Sequence, residues 1–329
     1  MNFLTKNIKI ISICLFVLVA LTAFFLFNNK DTQKNIFTFD TFISINLNGK
    51  NSSATADKIE SVLLEMEKEY SKYRTDSVVS QFNSSPEGEK TKISDEMANL
   101  ILRCSNISSK TGDAFDITTS ALSDLWQVKT ATAPPSSTDI ELAIKKTGYK
   151  KISLDENALL KTDAEIDFGG VLKGYAADKI RNIAQENGIK SGIVNLGGNV
   201  CLIGSKNGKP WTVGIVNPFE IDKVYLTVEV ENTNVITSGA YQRYFESGGK
   251  IYHHILSPET GYPAESDLAS VTVISPDGTL ADALSTAIFV QGSKKGLETA
   301  KQFGIEVIMI KKDGSIIATD SINYTMRDN

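Results

Sequence analysis

The chain has 329 residues, and its 34 lysines and arginines against 39 aspartates and glutamates give a net charge of −5. This length suggests one large or two ordinary domains, and the hydrophobic content of 41% excludes wholesale disorder. The mild acidity argues against a nucleic-acid binder, which usually carries a basic face. Only three cysteines and two histidines are present, which argues against a disulfide framework, a cysteine zinc site and a multi-histidine metal centre.

The first thirty residues differ in composition from the rest. An apolar run over residues 10–27 follows Lys6 and Lys9, and a run of this length nearly spans the hydrocarbon core of a bilayer. The positive-inside rule keeps the lysines in the cytoplasm, so we expect a single-pass membrane anchor with residues 31–329 as an extracytoplasmic domain. A cleaved signal peptide is the alternative, although its apolar core is usually shorter. Both interpretations predict an exported protein.

After a short polar tether, the sequence predicts helices and strands without a βαβ rhythm. In chain order these are a half-buried strand over residues 36–47, a helix over 56–73, a helix from the N-cap Ser94 to about Gly112, a surface loop over 130–138 and a helix from Gly169 to about Asn187. They continue with strands over residues 192–196, 211–216, 224–230, 251–256 and 270–274, helices over 280–290 and 294–303, and a hairpin that turns at residues 313–314. The predicted fold class is α+β, with mixed, largely antiparallel sheets and packed helices.

A glycine-rich segment, residues 167–178, reads DFGGVLKGYAAD. Gly169 and Gly170 at a helix start would let a ligand approach free backbone N–H groups, and Lys173 lies one turn inside the helix. Backbone donors, the helix dipole and a lysine together favour a phosphate or pyrophosphate. The alternative is an ordinary strand-to-helix turn with a solvent-exposed lysine.

Residues 281–287, ADALSTA, place Asp282 and Thr286 four positions apart on one helix face, with Ser285 alongside. Oxygen ligands without nearby histidine or cysteine suit Mg²⁺ better than zinc. The alternative is that Asp282 only complements the positive end of its helix dipole.

The two histidines precede a turn. Successive strand residues point to opposite faces, so His253 and His254 are not expected to bind one metal ion together. One of them is a candidate acid, base or phosphate hydrogen-bonding group. The alternative is a histidine whose hydrogen bonds are purely structural.

Taken together, these motifs resemble the ApbE family, the FAD:protein FMN transferases. The matching segments, in order, are AFDIT (114–118) with LW (125–126), DFGGVLKGYAAD (167–178), NLGGN (195–199), PWTVGI (210–215), TSG (237–239), HILSPETG (254–261) and ADALSTA (281–287). The resemblance extends from about Ile36 to the C-terminus. Two positions depart from the family pattern: Phe39-Asp40-Thr41 stands where the family usually has Met-Gly-Thr, and Ser257 precedes Pro258 where Asp or Asn is usual.

The resemblance implies a T-fold-like domain that binds FAD and Mg²⁺ and transfers FMN to a Ser or Thr hydroxyl of an acceptor protein, with release of AMP. It assigns metal ligation to Asp282, Ser285, Thr286 and the carbonyl of Gly170, and catalytic roles to His254, Asp282 and Lys173. The residues that it assigns to FAD contacts are Phe39, Tyr73, Ala114, Phe115, Asp116, Asp167, Lys173 and Leu256.

The same resemblance leaves two other functions open. Water as the acceptor would make the protein an FAD pyrophosphatase that yields FMN and AMP. A non-catalytic, exported flavin-binding protein is the third possibility, although mere binding requires no metal site. The expected acceptor is a membrane or exported redox protein, and no nucleic-acid partner is expected.

Overall fold

A computed structural model of the chain describes residues 31–327. The helices are α1 (Ser52–Tyr70), α2 (Val78–Ser84), α3 (Asp95–Lys110), α4 (Ser120–Trp126), α5 (Ser137–Lys145), α6 (Leu172–Glu186) and α7 (Gly278–Phe303). The strands are β1 (Thr32–Thr38), β2 (Thr41–Asn48), β3 (Lys90–Lys92), β4 (Ser153–Asp155), β5 (Ala158–Leu160), β6 (Ser191–Leu196), β7 (Asn199–Gly204), β8 (Trp211–Asn217), β9 (Glu220–Val230), β10 (Asn234–Gly239), β11 (Tyr244–Ser247), β12 (Lys250–His253), β13 (Leu268–Ser275), β14 (Glu306–Lys311), β15 (Ile316–Ala318) and β16 (Tyr324–Met326).

The membrane anchor predicted over residues 1–30 lies outside the described part of the chain. Across residues 31–327, no helix combines the length and the apolar character that crossing a membrane requires.

An eight-stranded sheet in the order β1-β2-β6-β7-β10-β13-β14-β15 forms the centre of the domain. All of its strand pairings are antiparallel. The mixed α+β class with largely antiparallel sheets is therefore confirmed.

The two faces of this sheet are covered by different elements. Its inner face, which carries Ile43 and Val194, packs against α1, α6 and α7 in the main hydrophobic core. Its outer face, which carries Leu202 and Val235, packs against the three-stranded sheet β16-β9-β8. Because successive side chains alternate between these faces, each strand residue can be assigned to one side.

The single strand predicted over residues 36–47 is wrong, because the chain forms the hairpin β1–β2 there. Phe39 and Asp40 make the turn with φ values of 53° and 57°. Left-handed residues at both central positions suit the twist of a two-residue hairpin, but the usual Asn-Gly or Asp-Gly signal is absent. The apolar alternation continues across the turn, so periodicity alone did not mark it.

Strands β7 and β10 were not predicted either. Both lie centrally in the sheet, and most of their residues are buried on either face. Burial on both faces removes the alternation of apolar and polar residues on which a strand prediction depends.

The predicted helix ends are largely confirmed. Ser94 accepts the N–H of Met97 at 3.0 Å as the N-cap of α3. Gly292, with φ of 77°, interrupts α7 between the two helices that the sequence predicts. Asp267 then accepts the N–H of Ser293 at 2.8 Å and stabilises the restart of the helix.

The buried, neutral side chain of His253 is expected to make the folded protein less stable in acid. Burial lowers the pKa of this histidine to about 4, and its Nδ1 has no hydrogen-bond partner beside the ring of Phe289. Between pH 6.5 and 4 the unfolded chain therefore binds a proton that the folded chain excludes, so stability falls as the pH falls. We expect His253→Leu to remove on the order of 2 kcal/mol of this loss, measured by denaturant unfolding at pH 7 and pH 4.5. If wild type and His253→Leu lose the same free energy of unfolding between pH 7 and pH 4.5, His253 is not the source of the acid sensitivity.

Candidate active site

The carboxylate of Asp282 is the point at which α6, α7 and β7 meet. This side chain is 4% exposed. It accepts the backbone N–H of Gly174 at 2.8 Å and the Nδ2 donor of Asn199 at 3.0 Å. A Cβ on Gly174 would lie 2.1 Å from the carbonyl oxygen of Gly278, so only glycine allows α6 to come this close to α7. A carboxylate has about four lone-pair positions, so two remain available for another ligand.

The hydroxyl groups of Ser238, Ser285 and Thr286 cluster next to the turn of α7 that carries Asp282. Ser238 Oγ is 2.8 Å from Ser285 Oγ and 3.4 Å from Thr286 Oγ1. Gly170 is their neighbour across the site, because a Cβ built on it would lie 3.7 Å from Thr286 Oγ1. The structure thus brings Gly170 next to Ser285 and Thr286, which lie more than a hundred residues later in the sequence.

The oxygen atoms of this cluster belong to a carboxylate and to hydroxyls, with the Gly170 backbone beside them. An all-oxygen set of this kind fits Mg²⁺, which usually takes one or two carboxylates and keeps several waters. Among residues 31–327, no group of three or more histidine, cysteine, aspartate or glutamate side chains is arranged to hold a metal ion. A metal here would therefore bind mainly through hydroxyl and main-chain oxygens, with Asp282 as the carboxylate that the described residues bring to the cluster.

Lys173 lies in the first turn of α6, beside this cluster. Its side chain is half-buried and makes no ion pair or hydrogen bond with another described residue. Its charge lies close enough to His254 to help lower the pKa of that histidine. A lysine without a carboxylate partner at a helix N-terminus favours an anionic ligand.

His254 is neutral at physiological pH. Burial, followed by the positive charges of Arg243 and Lys173, lowers its pKa to about 3. Its Nδ1 lies 3.2 Å from the carbonyl oxygen of Arg243. The tautomer inferred from this contact carries its proton on Nδ1 and leaves Nε2 as a hydrogen-bond acceptor.

Asp167 positions the glycine turn. Its Oδ1 accepts the N–H of Gly169 at 2.8 Å, and its Oδ2 lies 3.3 Å from Lys72 Nζ. Lys72 is 3% exposed and also pairs with Asp124 at 2.8 Å. Burial opposes its charge, but the two carboxylates outweigh burial and raise the pKa of Lys72. Sequence reasoning missed Lys72, because no local pattern distinguishes it from a surface lysine.

The other predicted FAD contacts occupy different environments. Phe115 is buried and lies against Gly170, where a Cβ on the glycine would be 3.4 Å from its ring. Tyr73 is 75% exposed, beyond the end of α1, and Lys72 lies over its ring. Leu256 packs in the separate aromatic cluster around Trp126. Ala114 is buried and Phe39 is half-buried.

Both oxygens of the Asp116 carboxylate accept hydrogen bonds within the protein. It accepts the N–H and hydroxyl of Thr118 at 2.8 and 2.6 Å and the N–H of Tyr149 at 2.7 Å. Burial raises its pKa against the effect of these donors. Its side chain thus shapes the loop next to Phe115, and its predicted contact with FAD stays a prediction.

Asp40, which stands where the ApbE family usually has glycine, makes two ion pairs in the structure. Asp40 adopts the left-handed conformation that aspartate tolerates better than most residues. Its carboxylate pairs with Lys129 and, at 3.2 Å, with Arg243. Because the Arg243 carbonyl also holds His254, the β1–β2 turn is connected to the histidine through a single residue.

Comparison with known proteins gives a consistent result. The sequence model of the ApbE family matches residues 39–309. The FAD:protein FMN transferase of Escherichia coli strain K12 is 32% identical over 284 residues, which cover 83% of this chain and 81% of that protein.

Two crystal structures share the fold. The ApbE protein of Thermotoga maritima aligns with a TM-score of 0.82 and 34% identity, over 89% of this chain and 98% of that one. The apo form of the flavinyl transferase ApbE of Pseudomonas stutzeri aligns with a TM-score of 0.79 and 31% identity, over 89% and 95% of the two chains.

Proposed function

The chain belongs to the ApbE family, and from that membership we propose that it is a Mg²⁺-dependent FAD:protein FMN transferase. In this proposal the FMN part of FAD is transferred to a Ser or Thr hydroxyl of an acceptor protein. The oxygen of the acceptor forms a new bond to the FMN phosphorus. The bond from that phosphorus to the bridging oxygen breaks, and AMP leaves with this oxygen.

One observation of the site carries the proposal. The Asp282 carboxylate, the Ser285 and Thr286 hydroxyls and the Gly170 backbone converge beside Lys173, a cation without a partner among residues 31–327. Phosphoryl transfer depends on positioning and charge neutralisation more than on covalent help from the protein. An oxygen cluster next to a free lysine offers both.

Each group has a distinct task in this scheme. Asp282, Ser285, Thr286 and the Gly170 carbonyl hold Mg²⁺, which supplies Lewis-acid stabilisation of the phosphoryl oxygens when bound. Lys173 offers its positive charge to the pyrophosphate. Ser238, which the sequence analysis did not select, orients the Ser285 and Thr286 hydroxyls through hydrogen bonds.

In this proposal His254 receives the acceptor proton. Its neutral ring presents Nε2 while Nδ1 is held by the Arg243 carbonyl. The negative charge of a bound pyrophosphate raises the pKa of a neighbouring histidine. Binding of FAD therefore makes His254 a stronger base than it is in the free protein, where its pKa is about 3.

The flavin part of FAD is proposed to contact the residues around the β1–β2 turn and the glycine turn. These are Phe39, Tyr73, Ala114, Phe115, Asp116, Asp167 and Leu256. Tyr73 supports this placement, because an exposed aromatic ring beside a candidate nucleotide site is suited to stacking.

The proposed location is the outer face of the cytoplasmic membrane. The apolar run over residues 10–27, with lysines before it, supports an anchor of this orientation. An acceptor exposed on the same surface, such as a membrane or exported redox protein, would then meet the enzyme at high local concentration.

Mass spectrometry of an acceptor tests the proposal. We expect threonine-containing peptides incubated with the chain, FAD and MgCl₂ to gain the mass of FMN less one water, and to gain nothing when EDTA is present. FMN and AMP without labelled peptide would favour the pyrophosphatase, and unchanged FAD would favour a binding protein. Either result contradicts the proposed transfer.

Removal of residues 1–30 is expected to leave the activity intact. Strand β1 begins at Thr32, and every proposed site residue lies between Phe39 and Thr286. We expect the shortened chain to bind FAD and label peptides within about twofold of the full chain, since linker truncation at exposed termini is usually tolerated. Loss of cooperative unfolding in the shortened chain would show that the domain begins before residue 31.

A further inference from the structure

A groove on the outer face of the large sheet adjoins the oxygen cluster. It has a volume of about 140 Å³ and is lined by Gly198, Val200, Thr237, Tyr241 and four consecutive residues of β8, among others. This volume admits one or two side chains. None of the lining residues is among those proposed to contact FAD, so the groove is a separate surface.

One wall of the groove is a free strand edge. Strand β8 is the last strand of the sheet β16-β9-β8, and in the described part of the chain it pairs only with β9. Alternate N–H and C=O groups of β8 thus point toward the groove without a strand partner. Such an edge recognises an extended polypeptide, because main-chain groups pair with main-chain groups.

The groove and the oxygen cluster lie on opposite faces of β10, where this strand runs past the end of its neighbour. Strand β10 pairs with β13 along its whole length but with β7 only at Asn234 and Val235. Beyond Val235, β10 continues past the β6–β7 turn, because β7 begins at Asn199. Thr237 then faces the groove, while the next residue, Ser238, contacts Ser285 on the inner face.

The apolar surface continues toward the β1–β2 turn. Phe37 and Phe42 are exposed on the outer face, with ring centroids 5.1 Å apart. Thr41, next to Phe42, lies against Gly197, because a Cβ on that glycine would be 2.2 Å from Thr41 Oγ1. Gly197 adjoins the groove residue Gly198. An extended segment in the groove would find apolar contacts on both sides of the β6–β7 turn.

We propose that an extended segment of the acceptor protein docks in this groove as an added strand on β8 and presents its Ser or Thr hydroxyl past the β6–β7 turn, where Ser238 of β10 faces the oxygen cluster. The proposal rests on the proposed transferase function and names where its acceptor binds. Main-chain pairing gives affinity, and the small groove selects the side chains next to the hydroxyl.

A charge placed in the groove tests this docking. Val216 lines the groove from β8, and Ile221 is an exposed apolar residue of β9 that does not line it. The acceptor probe is a library of synthetic peptides of about eleven residues with one central threonine, long enough to pair along a strand. We expect Val216→Asp to lower labelling about tenfold or more and Ile221→Asp to leave it within about twofold. FAD affinity and melting temperature should stay unchanged in both variants.

A second measurement tests the main-chain pairing. The best peptide is N-methylated at alternate amides in two sets that differ by one residue, so that each set blocks a different edge of the added strand. We expect only one set to abolish labelling. Equal labelling with both sets, or full labelling by Val216→Asp, would overturn the docking.

Other outcomes are distinguishable. A wild-type dimer that Val216→Asp splits without loss of peptide labelling would assign the edge to a second copy of the chain and overturn the proposal. Wild-type protein that binds FAD but labels no peptide would contradict the transferase function itself, and the docking proposal with it.

Discussion

Asp282→Asn is expected to abolish Mg²⁺-dependent FMN transfer while the domain stays folded. Asp282 is the carboxylate that the described residues bring to the oxygen cluster, and a hard cation needs that charge to compete with its hydration shell. Loss of the metal's Lewis-acid effect removes several kcal/mol of transition-state stabilisation, which corresponds to a rate loss of about a thousandfold or more. The measurement is the rate of peptide labelling, together with Mg²⁺ affinity by calorimetry.

Asparagine is a better test than alanine at this position. Its amide oxygen can still accept the N–H of Gly174, and the amide of Asn199 can rotate to offer its oxygen to the new NH₂ group. We therefore expect a stability loss of only about 1 kcal/mol.

Asp178→Asn is the matched control. Asp178 accepts the N–H groups of Gly278 and Thr279 at 2.7 and 2.9 Å, at the start of the same helix. Its neutralisation should lower stability by about 1–2 kcal/mol and leave labelling unchanged. If Asp282→Asn behaves like Asp178→Asn, Asp282 is only a helix-stabilising carboxylate and the metal site is wrong.

Lys173→Met is expected to weaken FAD binding without unfolding the domain. Methionine keeps most of the side-chain volume and a high helix propensity. The positive charge has no carboxylate partner among the described residues, so its removal breaks no ion pair there. We expect the Kd for FAD to rise about tenfold to a hundredfold, measured by quenching of flavin fluorescence.

Lys179→Met provides the comparison for that variant. Lys179 lies farther along the same helix and pairs with Glu96 at 2.5 Å. Its substitution should cost about 0–1 kcal/mol of stability and leave the FAD affinity unchanged. A lower melting temperature for Lys173→Met with normal FAD affinity would assign Lys173 a structural role.

The parts of the site that lie on one helix could be predicted from the sequence. Asp282 and Thr286 share a helix face through their spacing, and the glycine pair before Lys173 marks a helix start. Such local relations follow from backbone geometry alone. The longer helices α1, α3 and α6 were accessible for the same reason, since one face of each is polar, whereas the short helices α2 and α5 were not predicted.

Long-range partners could not be predicted in this way. Ser238 reaches Ser285, and Asn199 reaches Asp282, because β7 and β10 lie side by side in the sheet. Both strands are buried on two faces and carry no alternation, so the sequence concealed the strands together with their polar residues.

Lys72 illustrates a second limit. Its burial between Asp124 and Asp167 depends on the path of the chain after α1, and its sequence neighbours do not show it. The β1–β2 turn was missed for a related reason, because Phe39 and Asp40 adopt left-handed conformations that the sequence does not signal. At Lys72 and at the β1–β2 turn, contacts between distant parts of the chain determine the structure more than the local sequence does.

A product balance in a single reaction tests the central claim most directly. The chain is incubated with FAD, MgCl₂ and the threonine peptides, and AMP, free FMN and FMN-labelled peptide are then quantified together. The transferase account predicts AMP and labelled peptide in equal amounts, with little free FMN. AMP matched by free FMN, with the peptide unlabelled, would contradict it.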